Sequence, residues 1–203
     1  MSDIKLTELF ESHQGEGRYV GYPMTFIRIT GCPVGCPFCD TDYNQGDLFS
    51  FKDIMDGITQ PHVCITGGEP LAHPKIEDLI RVVLKTAGVR MIHIETSGCY
   101  DLPPIIYQMR RLFWVTVSPK GTFLGAKKDF KVNVLEDADE VKWIIPGAEE
   151  YIEQYFGLNA NTYIQPINNT KTINSENLSL ARTYSFKYNL PISFQVHKLF
   201  NWR

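Results

Sequence analysis

Short β-rich runs alternate with amphipathic stretches along this chain, and that alternation dictates how it can fold. Residues 24–30 (MTFIRIT), 62–66 (HVCIT), 91–95 (MIHIE), 113–117 (FWVTV) and 140–145 (EVKWII) read as strands. Residues 162–165 and 192–196 (ISFQV) are weaker sixth and seventh candidates. The clearest helix is expected over 74–87. There Ile76, Leu79, Ile80, Val83, Leu84 and Ala87 recur at the spacing of one helical face. Pro74 stands at its start and Gly88 just past its end, the expected asymmetry. Shorter helices are expected over 51–59, 148–156 and 176–188, the last with Ser175 as its N-cap. Strands alternating with helices call for an α/β fold whose parallel sheet has right-handed crossovers, as an open sheet or an incomplete barrel.

In such folds ligands collect beyond the carboxyl ends of the strands. The polar and Gly-rich sequences fall at those ends: Gly31-Cys32, Gly67-Gly68-Glu69-Pro70, Thr96-Ser97-Gly98, Ser118-Pro119-Lys120 and Gln165-Pro166. Five decorated strand ends imply one shared site, an enzyme's arrangement more than a structural module's. No repeat, low-complexity run or linker divides the chain, so residues 1–203 are expected to form a single domain.

Composition narrows the function class. A chain of 203 residues buries roughly 70% of its unfolded surface, so it needs no disulfide staples. Lys plus Arg number 20 against 23 Asp plus Glu, a net charge of −3 that lacks the basic footprint of a nucleic-acid binder. No run of 18 apolar residues marks a membrane span, and the first residues lack the pattern of a signal peptide. A cytoplasmic location, with no nucleic-acid or membrane partner, is the expectation.

The five cysteines are Cys32, Cys36, Cys39, Cys64 and Cys99. An odd count without a secretory signal argues against a disulfide framework. Cys32, Cys36 and Cys39 share one loop, and the interleaved Pro33, Gly35 and Pro37 keep it from becoming a helix. A wrapped turn of this kind brings three sulfurs onto one small object. Structural zinc and iron–sulfur clusters usually take four protein ligands. Three thiolates on a four-iron cluster would leave one iron open to a small molecule. The alternative is a structural zinc completed by a distant His62, His93 or Cys64. Otherwise Cys64 and Cys99 read as buried small hydrophobes.

Cys-x3-Cys-x2-Cys with an aromatic residue before the last cysteine resembles the signature of the radical S-adenosylmethionine (SAM) enzymes. Gly67-Gly68-Glu69-Pro70 resembles their GGEP motif, which meets the SAM amino group. A narrower resemblance covers nearly the whole chain. Gln14-Gly15-Glu16-Gly17, Phe26-Ile27-Arg28, Cys39-Asp40-Thr41-Asp42, Glu95-Thr96-Ser97-Gly98, Ser118-Pro119-Lys120, the run from Val141 to Pro146, Gln165-Pro166 and Gln195-Val196-His197-Lys198 occur in that order. Together they are similar to the 7-carboxy-7-deazaguanine synthase family. The chain departs from that pattern at His13, Ser97, Asn168 and the terminal Trp202-Arg203.

The resemblance implies an incomplete parallel β/α barrel of the radical SAM type with about six core strands. It implies a lyase that contracts 6-carboxy-5,6,7,8-tetrahydropterin to 7-carboxy-7-deazaguanine with loss of ammonia, in queuosine and 7-deazapurine biosynthesis. SAM would be cleaved to a 5′-deoxyadenosyl radical and regenerated. Cys32, Cys36 and Cys39 would hold a [4Fe-4S] cluster with one open iron, and Thr41 would reach Mg2+. Phe38, Cys39, Asp40, Gly67, Gly68, Glu69, Gly98, Ser118, Pro119, Lys120, Gln165, Pro166, Ile167 and Asn168 would contact SAM. His13, Gln14, Gly15, Arg28, Thr96 and Arg203 would meet the pterin. No side chain is assigned as catalytic, since the radical forms on SAM. A reducing donor such as flavodoxin and a homodimer are also implied. Two other readings share some of these features: a glycyl-radical-enzyme activase and a non-enzymatic, zinc-stabilised binding module.

Overall fold

The computed structural model describes residues 3–159, 161–168 and 173–202. Its strands are β1 (Asp3–His13), β2 (Pro23–Ile29), β3 (Asp47–Ser50), β4 (His62–Gly67), β5 (Met91–Thr96), β6 (Phe113–Val117), β7 (Glu140–Ile145) and β8 (Thr162–Pro166). They form one sheet in the order β3-β1-β2-β4-β5-β6-β7-β8. From β2 to β8 the pairings are parallel, and β1 runs antiparallel to both β2 and β3. Six parallel strands in sequential order, open at the β8 edge, make the expected incomplete β/α barrel. The helices are α1 (Phe51–Gly57), α2 (Ile76–Lys85), α3 (Pro104–Gln108), α4 (Val132–Glu136), α5 (Glu149–Gln154), α6 (Ser175–Tyr188) and α7 (Val196–Phe200).

The two faces of the sheet are chemically unlike. Successive strand residues point to opposite sides. Ile27, Ile29, Val63, Ile65, Ile92, Ile94, Val115, Val117, Val141, Trp143, Ile145 and Ile164 join one core cluster with Ile76, Leu79, Ile80 and Val83 of α2 and Ile105 and Ile106 of α3. The alternating positions carry Phe26, Arg28, Cys64, Thr66, His93, Glu95, Glu140, Lys142 and Gln165. Parallel strands covered by helices on both faces read as continuous apolar runs. Here one face takes the helices and the other is left polar, around the site.

Several sequence expectations shift. Residues 192–196 do not form a strand. Ile192 makes one isolated bridge to Ile164, and Val196 already opens α7. The segment's amides are used singly instead of in a ladder: Ser193 N–H donates to Ile164 O and Val196 N–H to Gly15 O, both at 2.9 Å. The N-cap of α6 is Asn174, one residue before Ser175; its side chain accepts the Asn177 N–H at 2.9 Å. The longest strand, β1, carries no clean alternation because its register slips between Leu6 and Glu8, which breaks the two-residue period.

Leu79 is fully buried on the inner face of α2. Leu79→Ala is expected to cost about 2–5 kcal/mol, since both transfer energy and a residual cavity count against it. Urea unfolding measures this, and a loss below about 1 kcal/mol would show that α2 is not seated as described.

Candidate active site

Two cavities open beyond the carboxyl ends of the parallel strands, with a shared wall. The smaller, about 240 Å³, is lined by Cys32, Cys36 and Cys39 and by residues from the ends of β4 to β8. The larger, about 670 Å³, is lined by β1, β2 and α7. Glu16, Asp40, Thr41, Thr66, Gly67, Glu95, Gln195 and Lys198 line both.

Cys32 and Cys36 are partly buried and Cys39 is exposed; all three are free thiols. Burial raises the Cys32 thiol and pushes Cys36 up to about 11, so these thiols hold their protons until a metal displaces them. Among the described residues, no three His, Cys, Asp or Glu side chains close on a single metal ion. The three thiols line the smaller cavity together. Cys64 is fully buried, its thiol raised well above the ordinary value by burial, and Cys99 donates to Lys128 O at 3.4 Å.

Gly67 and Gly68 are required by the chain itself. A Cβ on Gly68 would lie 1.8 Å from Gly31 O, and one on Gly67, at φ +135°, 2.2 Å from Ile29 O. The pair therefore lets β4 end against the start of the cysteine loop. Glu69 is buried and fixed by four donors. Oε1 accepts from Leu71 N at 3.0 Å and Thr96 Oγ1 at 2.7 Å, and Oε2 accepts from Ser97 N at 2.8 Å and from the Ser97 hydroxyl. A carboxylate so rigidly held suits an ammonium in the smaller cavity.

Of the residues expected to meet SAM, Phe38, Cys39, Asp40, Gly67 to Glu69, Ser118, Lys120 and Gln165 to Asn168 line the smaller cavity. Gly98 and Pro119 do not. Gly98 turns at φ +78° and donates to Thr96 Oγ1 at 3.2 Å, supporting the wall from behind. Lys120 Nζ donates to Ser118 O and Oγ at 2.9 Å each, and burial lowers its pKa. Gln165 Oε1 is the one fully buried side-chain oxygen or nitrogen without a partner among the described residues. An unpaired acceptor in a cavity wall costs about 1–3 kcal/mol unless something donates to it, and the N–H and O–H groups of a nucleoside that carries an amino acid would do so.

Of those expected to meet the pterin, His13, Gln14, Gly15 and Arg28 line the larger cavity, with Thr41 at the junction. Arg28 pairs with Glu8 at 3.7 Å and lies over the Phe10 ring at 5.5 Å. Thr96 instead lines the smaller cavity, its hydroxyl committed to Glu69; of the strand threonines Thr66 reaches both cavities, as Thr41 does from the cysteine loop. Arg203 lies outside the described residues.

The centre of the site is a network in which Lys142, Glu16, Glu95, Gln195 and Lys198, given no role from sequence, bind residues that were given one, Gln14, Asp40, Gln165 and Asn168. Lys142 Nζ bonds Glu16 Oε2 at 2.6 Å and Glu95 Oε2 at 3.0 Å. Gln14 Nε2 donates to Glu95 Oε1 at 3.1 Å, and Gln165 and Gln195 donate to Glu16 at 3.2 and 2.9 Å. Lys198 reaches Gln195 Oε1 at 2.9 Å, pairs with Asp40 and caps Asn168 O. The available signals were the motifs that hold these residues, Gln14–Gly17, Glu95–Gly98, Val141–Pro146 and Gln195–Lys198, and a lysine inside a strand, EVKWII.

Residues 26–138 match the model of the radical SAM superfamily. The chain is 32% identical to the 7-carboxy-7-deazaguanine synthase of Haemophilus influenzae, over 97% of this chain and 93% of that one. It is also 32% identical to the enzyme of the same name from Methanospirillum hungatei, over 97% and 85%. Among solved structures, QueE from Escherichia coli superposes with a TM-score of 0.74 at 27% identity, covering 96% of this chain and 95% of that one.

Glu140 fastens the loop that carries Gln14 to Gly17. Its Oε2 accepts the Arg18 N–H at 2.8 Å, and a Cβ on Gly17 would lie 1.9 Å from its Oε1. Burial pushes the Glu140 carboxyl up to about 7. Between the ordinary carboxylate value and about 7 the folded chain holds a proton that the unfolded chain has released. This contribution to stability is therefore full at low pH and is lost as pH rises through 7. Glu140→Gln keeps an acceptor oxygen but never ionises. The gain in melting temperature over the parent should be larger near pH 8 than near pH 5. An equal difference at both values would reject a buried, proton-holding Glu140.

Proposed function

The chain belongs to the radical SAM superfamily and, within it, to the 7-carboxy-7-deazaguanine synthases, and from that premise we propose how its own residues serve the reaction. The enzyme is a lyase that contracts 6-carboxy-5,6,7,8-tetrahydropterin to 7-carboxy-7-deazaguanine with loss of ammonia, in queuosine and 7-deazapurine biosynthesis. It uses a [4Fe-4S] cluster and SAM. The activase and zinc-module readings are not favoured, because the similarity to the deazaguanine synthases runs over nearly the whole chain. The observation that carries the residue assignments is the pair of cavities with one wall between them, thiols in one and Arg28 with the Gln14–Gly17 loop in the other.

Cys32, Cys36 and Cys39 hold the cluster. When bound, cluster and SAM supply one-electron cleavage of a sulfonium and with it the power to abstract hydrogen. Glu69 anchors the SAM amino group, while Gln165, Asn168, Ser118 and Lys120 orient the rest of the molecule. His13, Gln14, Gly15 and Arg28 grip the pterin, Arg28 offering a planar fork to its carboxylate. Thr66 and Glu95 close the wall between the two, and Thr96 acts through Glu69. Thr41, which lines both cavities, offers its hydroxyl to Mg2+ between cluster loop and substrate; a hard cation takes such an oxygen beside a substrate carboxylate. α7 lines the site through His197 and Lys198. The exposed Cys39 supports entry of the electron at this edge from a carrier such as flavodoxin. The exposed Phe186 on α6 is the apolar side chain assigned to a homodimer contact. Five free cysteines suit the cytoplasm.

The test is anaerobic incubation with dithionite, the carboxypterin and SAM below the pterin concentration. Many deazaguanine molecules per SAM are expected; deoxyadenosine formed one-for-one with product would reject SAM regeneration. Cys32→Ala, Cys36→Ala and Cys39→Ala should each abolish cluster binding, whereas Cys64→Ala and Cys99→Ala keep it. Full iron in Cys36→Ala would sink the three-thiolate assignment.

Thr41→Val keeps the side-chain shape and removes the oxygen. Turnover at limiting Mg2+ should drop about tenfold or more, with recovery as Mg2+ is raised. Equal Mg2+ dependence in variant and parent would remove Thr41 from the metal site.

A further inference from the structure

Lys142 is 2% exposed and sits on the polar face of β7, where Glu140 and Ile144 flank it on the same side. Its ammonium is, among the described residues, the one cation shared by two carboxylates from distant parts of the chain: Glu16 on the loop after β1, at 2.6 Å, and Glu95 near the end of β5, at 3.0 Å. Both carboxylates line both cavities, whereas Lys142 lines only the smaller one, behind them.

A buried lysine has two possible uses. It can lose its proton cheaply and act as a base, or it can stay charged and fix anions. Burial alone works against the ammonium here, but Glu16, Glu95 and Glu140 outweigh it and hold Lys142 far above the ordinary lysine value. Burial likewise works against the Glu16 charge, and Lys142 and His197 outweigh it, holding that carboxyl down to about 2. Lys120 is the contrast. It is partly buried, bonds to Ser118 oxygens and to no carboxylate, and is lowered by burial. Lys142 is therefore a clamp and not a base.

We propose that Lys142 is a positioning residue for the ring contraction: its single ammonium holds the carboxylates of Glu16 and Glu95 side by side, as anions, on the wall that faces the pterin. This rests on the larger cavity being the pterin site. The clamp works because the remaining carboxylate oxygens are fixed by amides that cannot ionise: Gln14 on Glu95, Gln195 on Glu16. Two carboxylates this close without a cation would not both stay charged; one proton would be taken up and shared, as in a carboxyl dyad. Around them stand Glu140 on β7, His197 and Lys198 on α7, Lys120 after β6, Cys64 on β4 and Arg28 on β2. Of these, Glu140 titrates in the parent near neutral pH and burial lowers the His197 pKa below its ordinary value, so the parent's own profile is the baseline.

The experiment measures carboxypterin binding by equilibrium dialysis, with enzyme carrying cluster and SAM but no reductant, from about pH 5.5 to pH 8.5. Lys142→Arg keeps the charge and should follow the parent's profile, at most uniformly weaker. Lys142→Gln should bind at least about tenfold more weakly at the acid end and regain affinity as pH rises, following one added proton. Infrared spectra of Lys142→Gln should show a protonated carboxyl that the parent lacks at the same pH. Should Lys142→Gln lose its fold, Lys142→Gln/Glu95→Gln removes one charge of each sign, and the added proton dependence, now from Glu16, is read there. A variant profile parallel to the parent's, tight or uniformly weak, would overturn the clamp. A parent that binds no carboxypterin would instead overturn the assignment of the cavity, leaving the two failures distinct.

Discussion

A lysine buried on β7, next to the open edge of the sheet, organises the site around it. An isolated ammonium there would cost several kcal/mol in lost hydration, so its neighbours must repay that cost. Glu16 and Glu95 do so, and to reach it the chain must bring the loop after β1 back against β5 and β7. That requirement explains the backbone of the loop. Gly17 sits at φ +65° with no room for a Cβ against Glu140, and its N–H donates to Ser193 Oγ at 3.1 Å. Gly15 has no room for one against His197. The glycines are dictated by close approach to charged and aromatic side chains, and the same approach gives the larger cavity its floor.

The division of labour between the two sheet faces follows from the same constraint. One face buries Ile, Val and Trp under α2 and α3 and supplies the hydrophobic stability. That stability allows the other face to carry Glu, Lys, Gln and Arg around open cavities. Among the described residues, the charges of Glu16, Glu95 and Lys142 are paired, the two carboxylates also bonded to amides, and one neutral acceptor, Gln165 Oε1, awaits a donor. A polar interior of this kind is stable only when every member finds a partner, so its positions tolerate little substitution.

Much of this was readable in the sequence where the signal is local. The six parallel strands follow from short apolar runs ending in Gly or polar pairs, and 113–117 and 140–145 match β6 and β7 end to end. The three cysteines are legible because eight residues hold them all. The unread parts are those set by topology. β1 hides behind a register slip, and β3 has only four residues with Leu48 facing solvent. Thr96 and Thr66 both close their strands' apolar runs, and only the fold shows that one serves Glu69 while the other reaches both cavities. Lys142, Glu16 and Glu95 were visible as letters, but their convergence is not a property of any window of sequence.

That convergence also says when in folding the site appears. Glu16 bonds Gln195 across 179 positions and Lys142 across 126, and Val196 N–H closes on Gly15 O. Contacts of such separation carry the largest loop-closure entropy and form after the local strand–helix units have docked. The segments after β1 and before α7 therefore meet only once the sheet between them is complete. The cysteine loop behaves oppositely, since its three thiols are near neighbours in the chain before any tertiary structure forms. Cluster-holding geometry is thus local and early, and the substrate wall is global and late. The two share Asp40 and Lys198, whose ion pair joins the local loop to the late-arriving α7. That pair is where the two halves of the chemistry are brought into register.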